Sequence, residues 1–265
     1  SGAKFKKTYE FTSVPGAPYA PNSLLITPTT ATAGKTVSAY VIPYDKNNNL
    51  ITPSGTTPYN AVYHYTDNGK DSPDIKITPK GIGTVTYDGK SYSAYQYDQL
   101  LTKRDDNYFE ASIGTAKCKC VTCKVTVAPA TMDFKGSEYM RYDPPTNKFI
   151  DIVDGVAEDN ANTDAIYRIY PLDKYGNKID SVSDISGYTV VLKNNNEPIT
   201  YTMKYNPDNK APYEYIEFIK NDEAHEGVSY RTLINGTYTL SFTKGSDSVK
   251  YTVYMKGTVN DKDAS

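Results

Sequence analysis

Residues 169–179 read Ile169-Tyr170-Pro171-Leu172-Asp173-Lys174-Tyr175-Gly176-Asn177-Lys178-Ile179: an extended run, an Asp-Lys-Tyr-Gly-Asn turn and an extended exit. The pattern also stands earlier, at Val41-Ile42-Pro43-Tyr44-Asp45-Lys46-Asn47-Asn48-Asn49-Leu50-Ile51, with the proline, aspartate, lysine, last asparagine and final isoleucine in place. Pro43 to Pro171 and Ile51 to Ile179 are both 128 residues apart, and Val121 to Val249 and Val125 to Val253 recover the same offset. Repetition at one offset marks a duplicated unit. The chain therefore reads as a tail or linker over 1–20, one domain over 21–128, a second over 129–257, and a tail over 258–265. The boundary falls at Ala128-Pro129-Ala130.

Each domain reads as strands. Thr36 to Tyr44 alternates, with Val37, Ala39, Val41 and Pro43 on one side and Ser38, Tyr40, Ile42 and Tyr44 on the other. That period of two is the signature of a half-buried strand. Ser23 to Thr27, Tyr59 to Tyr65, Asp74 to Thr78 and Tyr108 to Ile113 read the same way. Thr84 to Tyr92 is a hairpin with Asp88-Gly89 at its tip. Gly114 to Lys119 is a hairpin loop and Cys120 to Val127 the closing strand, matched later by Tyr238 to Phe242 and Val249 to Met255. Ser137 to Asn162 is either an extended first strand or a decorated linker. No segment carries a helical period. Short strands divided by turns predict an all-β chain of two tandem immunoglobulin-like sandwiches.

Composition narrows the function. Of 265 residues 38% are hydrophobic and 23% charged, with net charge −2, a balance of folded chains rather than disordered ones. No clustered basic surface offers itself to nucleic acid. No apolar run approaches the ~20 residues of a membrane span, and none follows Ser1-Gly2-Ala3-Lys4-Phe5-Lys6-Lys7 as a signal peptide requires. Tyrosine is abundant at 26 residues and tryptophan absent. Tyrosine and threonine favour the pleated surface of a sheet.

The turn Asp173-Lys174-Tyr175-Gly176-Asn177, the following Gly187-Tyr188-Thr189-Val190-Val191-Leu192, the entry Asp88-Gly89-Lys90-Ser91-Tyr92-Ser93-Ala94-Tyr95 and the opening Asn235-Gly236-Thr237-Tyr238-Thr239-Leu240-Ser241-Phe242 together resemble the immunoglobulin-like repeats of the filamin family. Bacterial surface immunoglobulin-like repeats share the turn and are a second resemblance. Both imply sandwich domains that bind proteins. The filamin Gly-Ser-Pro-Phe of the final strand is missing from both copies, so no functional residue carries over.

Reactive side chains are few. His64 and His225 stand at non-equivalent positions, and a nucleophile–base pair would need one of them. Cys118, Cys120 and Cys123 form C-x-C-x-x-C, one ligand short of a closed zinc site. Cys120 and Cys123 point oppositely if the strand is continuous. Free thiols, or a disulfide from this loop to another part of the chain, are the expectation, and thiols fit a reducing compartment. Asp154, Glu158, Asp159, Asn160 and Asp164 lack the regular loop with a central glycine of a calcium site and read as solvated turns, as do Asp67, Asn68 and Asp71. Gly81 and Gly83 precede a strand, so they form no phosphate loop. Asn235-Gly236-Thr237 is a glycosylation sequon and also a good turn. Tyr92, Tyr95, Tyr97, Tyr213 and Tyr215 are candidates for a sugar platform, but core and cross-strand pairing explain them better.

No catalytic, cofactor or metal residue is therefore assigned, and no cofactor is expected. The expectation is a non-enzymatic structural or adhesive protein, part of a longer chain of repeats at the cell surface, binding a protein partner through strand edges or loops. The alternatives are a cytoplasmic filamin-like cross-linker and a carbohydrate-binding module.

Overall fold

An aspartate at a turn between two strands has donors within reach, and the fold is built around two such residues. The computed structural model describes residues 8–10, 14–67, 69–155, 157–160, 165–180, 182–198, 200–219 and 235–256. It divides into two compact units, Ser1–Ala128 and Pro129–Ser265. In the first, a 3-10 turn at Ala20–Asn22 precedes β1 (Leu24–Ile26), β2 (Thr30–Thr32), β3 (Lys35–Ile42), β4 (Asn60–Asp67), β5 (Lys70–Asp71) and β6 (Ile75–Ile77). Then come β7 (Pro79–Tyr87), β8 (Lys90–Leu101), β9 (Asp105–Ile113), β10 (Ala116–Lys117), β11 (Lys119–Thr122) and β12 (Lys124–Ala128). The second unit holds β13 (Glu138–Asp143), β14 (Lys148–Asp151), β15 (Ala157–Asn160), β16 (Ile166–Tyr170) and β17 (Tyr188–Asn194). It continues with β18 (Thr200–Thr202), β19 (Lys204–Tyr205), β20 (Ile216–Ile219), β21 (Gly236–Lys244) and β22 (Asp247–Lys256).

The sheets of the first unit run β11-β1-β3-β8-β7 and β2-β12-β9-β4-β5, with β10 on β9 and β6 on β4. Those of the second run β14-β13-β16-β20-β19 and β15-β22-β21-β17-β18. Four strands of each sheet correspond in order, β1-β3-β8-β7 to β13-β16-β20-β19 and β2-β12-β9-β4 to β15-β22-β21-β17. In both units a strand from the opening segment crosses to the second sheet and pairs there in parallel with the last strand, β2 on β12 and β15 on β22. Both units are immunoglobulin-like β-sandwiches.

The alternation read in the sequence sets the cores. Val37, Ala39 and Val41 turn inward with Tyr95 and Tyr97 of β8. The buried tyrosines are satisfied: Tyr97 donates to the Tyr59 carbonyl at 3.0 Å, and the Tyr59 and Ser23 hydroxyls meet at 2.7 Å. In the second unit Phe242 of β21 packs on Tyr139 of β13, ring centroids 4.8 Å apart, and edge-on to Tyr167 of β16.

The duplicated turn is duplicated bond for bond. The Oδ1 of Asp45 accepts the N–H of Asn47 and of Asn49, both at 2.8 Å, and its Oδ2 accepts the Asn49 side chain and the N–H of Gly16. Asp173 does the same with Tyr175, Asn177, the Asn177 side chain and the N–H of Ala130. The turn needs one left-handed residue, and Asn48 (φ 62°) and Gly176 (φ 77°) supply it.

The fourth donor was not foreseen. Residues 1–20 read as a tail because Pro15 and Pro18 break the pattern. Yet Gly16 donates to Asp45, Pro18 bridges to Asp45, and the Tyr19 N–H bonds the Tyr44 carbonyl. Ala130, Met132 and Asp133 repeat all three contacts against Asp173 and Leu172. These opening segments repeat at an offset of 114 residues (Gly16 to Ala130, Ser23 to Ser137), not 128. The 14 residues of difference lie within Ser137 to Asn162. That stretch is neither one extended strand nor a linker: it is β13, a hairpin return into β14, and β15.

The closing strand is also not continuous. After β10 it leaves β9 to run parallel to β1 as β11, then returns to β9 as β12. Cys123 sits at the break between β11 and β12, and the change of sheet cancels the alternation that would set it opposite Cys120. The two form a disulfide, Cα atoms 5.7 Å apart. The expectation of free thiols, or of a disulfide from this loop to another part of the chain, is thus corrected: Cys120 and Cys123 bridge locally, and Cys118 alone is a free thiol.

Candidate functional site

β7 is the one long strand at a sheet edge among the described residues. It runs nine residues, whereas the other edge strands run two to four. It pairs β8 on one side only. Asp88 (φ 50°) and Gly89 (φ 71°) form the two-residue turn that joins them, with both central residues left-handed as that turn type requires. Tyr87 faces Lys90 across the turn, and a two-residue turn makes its flanking residues the hydrogen-bonded pair. Gly83, Val85 and Tyr87 therefore bond β8, while Ile82, Thr84 and Thr86 direct N–H and C=O to the free side. The side chain of Ile82 is 48% exposed.

The outer face beside this edge is apolar. Opposite the core-facing residues of β3 and β8 lie Tyr40, Ile42, Tyr92 and Ala94. With Ile26, Leu24, Tyr44, Val85, Tyr87 and Val121 they form one cluster. Ile42 and Ala94 are fully buried beneath half-buried tyrosines. Burial, then the neighbouring Tyr92 and Tyr87, push the Tyr44 hydroxyl above its ordinary pKa. At the far end Lys80 pairs with Asp98 at 2.6 Å, and Asp98 also accepts the hydroxyl of Ser38 and the amide of Gln96, both at 2.7 Å. Burial alone would raise Asp98, but these donors hold it below the usual carboxylate range. Gly83 has no side chain because Gln96 and Tyr40 lie over it.

The same face of the second unit carries its own cation. The Arg168 guanidinium lies 3.6 Å from the Phe149 ring centroid and 3.9 Å from that of Tyr215, bonds the Glu217 carboxylate, and donates to the Tyr170 hydroxyl at 3.1 Å. Phe149 comes from β14, the strand that the extra residues add. Sequence reading missed this cluster; its one signal was the change of offset from 128 to 114.

The sequence candidates do not converge. The His64 ring stacks on Tyr108, and its Nδ1 lies 3.4 Å from Asp74. His225, Asn68 and Asp164 lie outside the described residues. Asp154 accepts the Thr252 N–H at 2.7 Å, and Glu158, Asp159 and Asn160 stand in strand β15 rather than in the turns expected there. Thr66 donates to Asp71, and Asp67 lies 3.6 Å from Lys103. Among the described residues no three of His, Cys, Asp and Glu come together to share a metal ion. Burial pushes the Cys118 thiol up to about 12, so it is protonated and unreactive at neutral pH. The five tyrosines separate: Tyr95 and Tyr97 are core, Tyr92 is on the outer face, Tyr215 covers Arg168, and Tyr213 bridges Val182. Asn235 is exposed at the entry to β21. Beside the disulfide an open depression of about 520 Å³ lies between Tyr108, Val121 and Lys124.

No family model matches the chain, and no curated protein does. Among the descriptions of similar solved structures is FdeC, an Escherichia coli adhesin, at 13% identity over 90% of this chain and 66% of that one, TM-score 0.37. The adhesin InvE of Yersinia pseudotuberculosis is similar at 13% identity over 89% of this chain and 59% of that one, TM-score 0.31. The filamin domain of Lin-41 is similar at 13% identity over 42% of this chain and 97% of its own, TM-score 0.28. This chain thus spans less than two thirds of either adhesin structure. Among the described residues no helix is long and apolar enough to cross a membrane.

Proposed function

We propose that the chain is a non-catalytic structural or adhesive module that binds a protein partner through main-chain hydrogen bonds at a sheet edge. The unpaired edge of β7 carries this reading. A free row of N–H and C=O groups is a template for another strand, and its recognition needs no special residue type. That accounts for a chain in which, among the described residues, no three of histidine, cysteine, aspartate and glutamate come together to share a metal ion.

The disulfide bears on the compartment. A thiol-rich strand would fit a reducing cytoplasm, but a Cys120–Cys123 bridge fits an oxidising exterior better. The cell-surface reading is therefore favoured over the cytoskeletal one. Mass spectrometry after alkylation of the chain unfolded in denaturant without reductant is expected to find one free thiol per chain; three would return the cytoplasmic reading. The function itself is tested by measuring binding to candidate protein ligands for the parent chain, Thr84→Pro and His64→Ala. Binding is expected to survive His64→Ala and to fall with Thr84→Pro. A hydrolase or transferase turnover abolished by His64→Ala would overturn the proposal.

A further inference from the structure

We infer that the free edge of β7 pairs with β7 of a second copy of this chain, antiparallel, about a two-fold axis through Thr84. The inference rests on the edge-binding reading and names its partner. The strand is its own complement in that register. Ile82, Thr84 and Thr86 face outward, so Ile82 meets the second copy's Thr86 and Thr84 meets Thr84, with about six main-chain hydrogen bonds across the junction.

The side chains match as well. Gly81 falls opposite the second copy's Tyr87, and the space a side chain would fill at Gly81 is empty. A tyrosine ring laid over an edge glycine stabilises such a pair. Lys80 at one end comes beside the Asp88 turn of the other copy, with Lys90 on the far side of that turn, so no like charges oppose along the strand. From Ile82 to Tyr87 there is neither charge nor proline, the devices by which edges ordinarily refuse partners. In the second unit the corresponding edge, β19, is two residues long and offers no such row.

Sedimentation equilibrium of the full chain from about 10 μM to 1 mM is the test, since a junction built on one strand pair belongs to the weak class. A reversible dimer is expected. Thr84→Pro removes an outward N–H and none that β7 gives to β8, so it is expected to weaken dimerisation by about tenfold or more while circular dichroism and the melting midpoint hold. Ile82→Lys is expected to do the same without touching the backbone. Thr84→Cys is expected to give a covalent dimer on mild oxidation, because facing Cα atoms of a bonded pair lie about 5.5 Å apart, and Thr86→Cys is not. A chain monomeric throughout, a dimer indifferent to Thr84→Pro and Ile82→Lys, or cross-linking at Thr86 rather than Thr84 would overturn the inference. A monomer that binds a foreign protein and loses it with Thr84→Pro would overturn the second copy as partner and leave the edge-binding reading standing.

Discussion

Asp45 and Asp173 each gather four donors on one buried carboxylate, and each ties the segment before its first strand to the turn after β3 or β16. Removing the carboxylate strands those donors. Asp173→Ala is expected to cost about 2–4 kcal/mol and to lower the melting midpoint of the second unit, read by calorimetry. Asp45→Ala is expected to lower that of the first. Hydrogen bonds from Gly16, then from Asn49 and Asn47, draw Asp45 down to about 2, below its unfolded value of 3.8. Its contribution is present above pH 3.8 and is lost as pH falls through about 2, so acid melting of the first unit is expected in that window. At the other end of the scale burial lifts both Tyr97 and Cys118 to about 12. Their contribution is complete below the unfolded values of 10.0 and 9.0 and is lost as pH rises toward 12. Alkaline unfolding followed by tyrosinate absorbance is expected there, with Cys118 alkylated only as the unit opens. The aspartates were legible because an Asx turn has a residue signature. Gly16 and Ala130 were not, because what they supply is a backbone N–H that any residue but proline carries.

Two elements depart from the repeated plan. The break between β11 and β12 lets the closing strand serve both sheets, and the Cys120–Cys123 disulfide closes it. A loop this short constrains the unfolded chain little, so Cys123→Ser is expected to cost the first unit about 2 kcal/mol, at the low end for a disulfide, and the second nothing. The hairpin of β13 and β14 is the other departure. Its Phe149 covers the Arg168 guanidinium, and Phe149→Ala is expected to destabilise the second unit by about 1–2 kcal/mol in chemical denaturation. The hairpin Thr84 to Tyr92, with its Asp-Gly tip, was legible because turn chemistry is local. The break at Cys123 was not, since a period of two carries no mark of the sheet to which a residue belongs. Nor was the placement of the tyrosines: Tyr92 and Tyr95 are alike in sequence and lie on opposite faces of β8.

Across the whole molecule one building block stands twice, and the copies differ mainly in their edges. The first keeps β7 long, open and, from Ile82 to Tyr87, uncharged; the second shortens the same edge to β19 and adds β14 elsewhere. The duplication was legible at the scale of the chain because its offset is recovered at the first turn and the last strand. The open edge was not, since a strand's sequence does not say whether it has neighbours on one side or two. Amide hydrogen exchange of the full chain, resolved residue by residue, tests the claim that this edge is where the protein works. In dilute solution Gly83, Val85 and Tyr87 are expected to be protected and Ile82, Thr84 and Thr86 to exchange freely, the latter three becoming protected as concentration rises. Protection of Thr84 and Thr86 in the most dilute sample, or free exchange of both at every concentration, would contradict it.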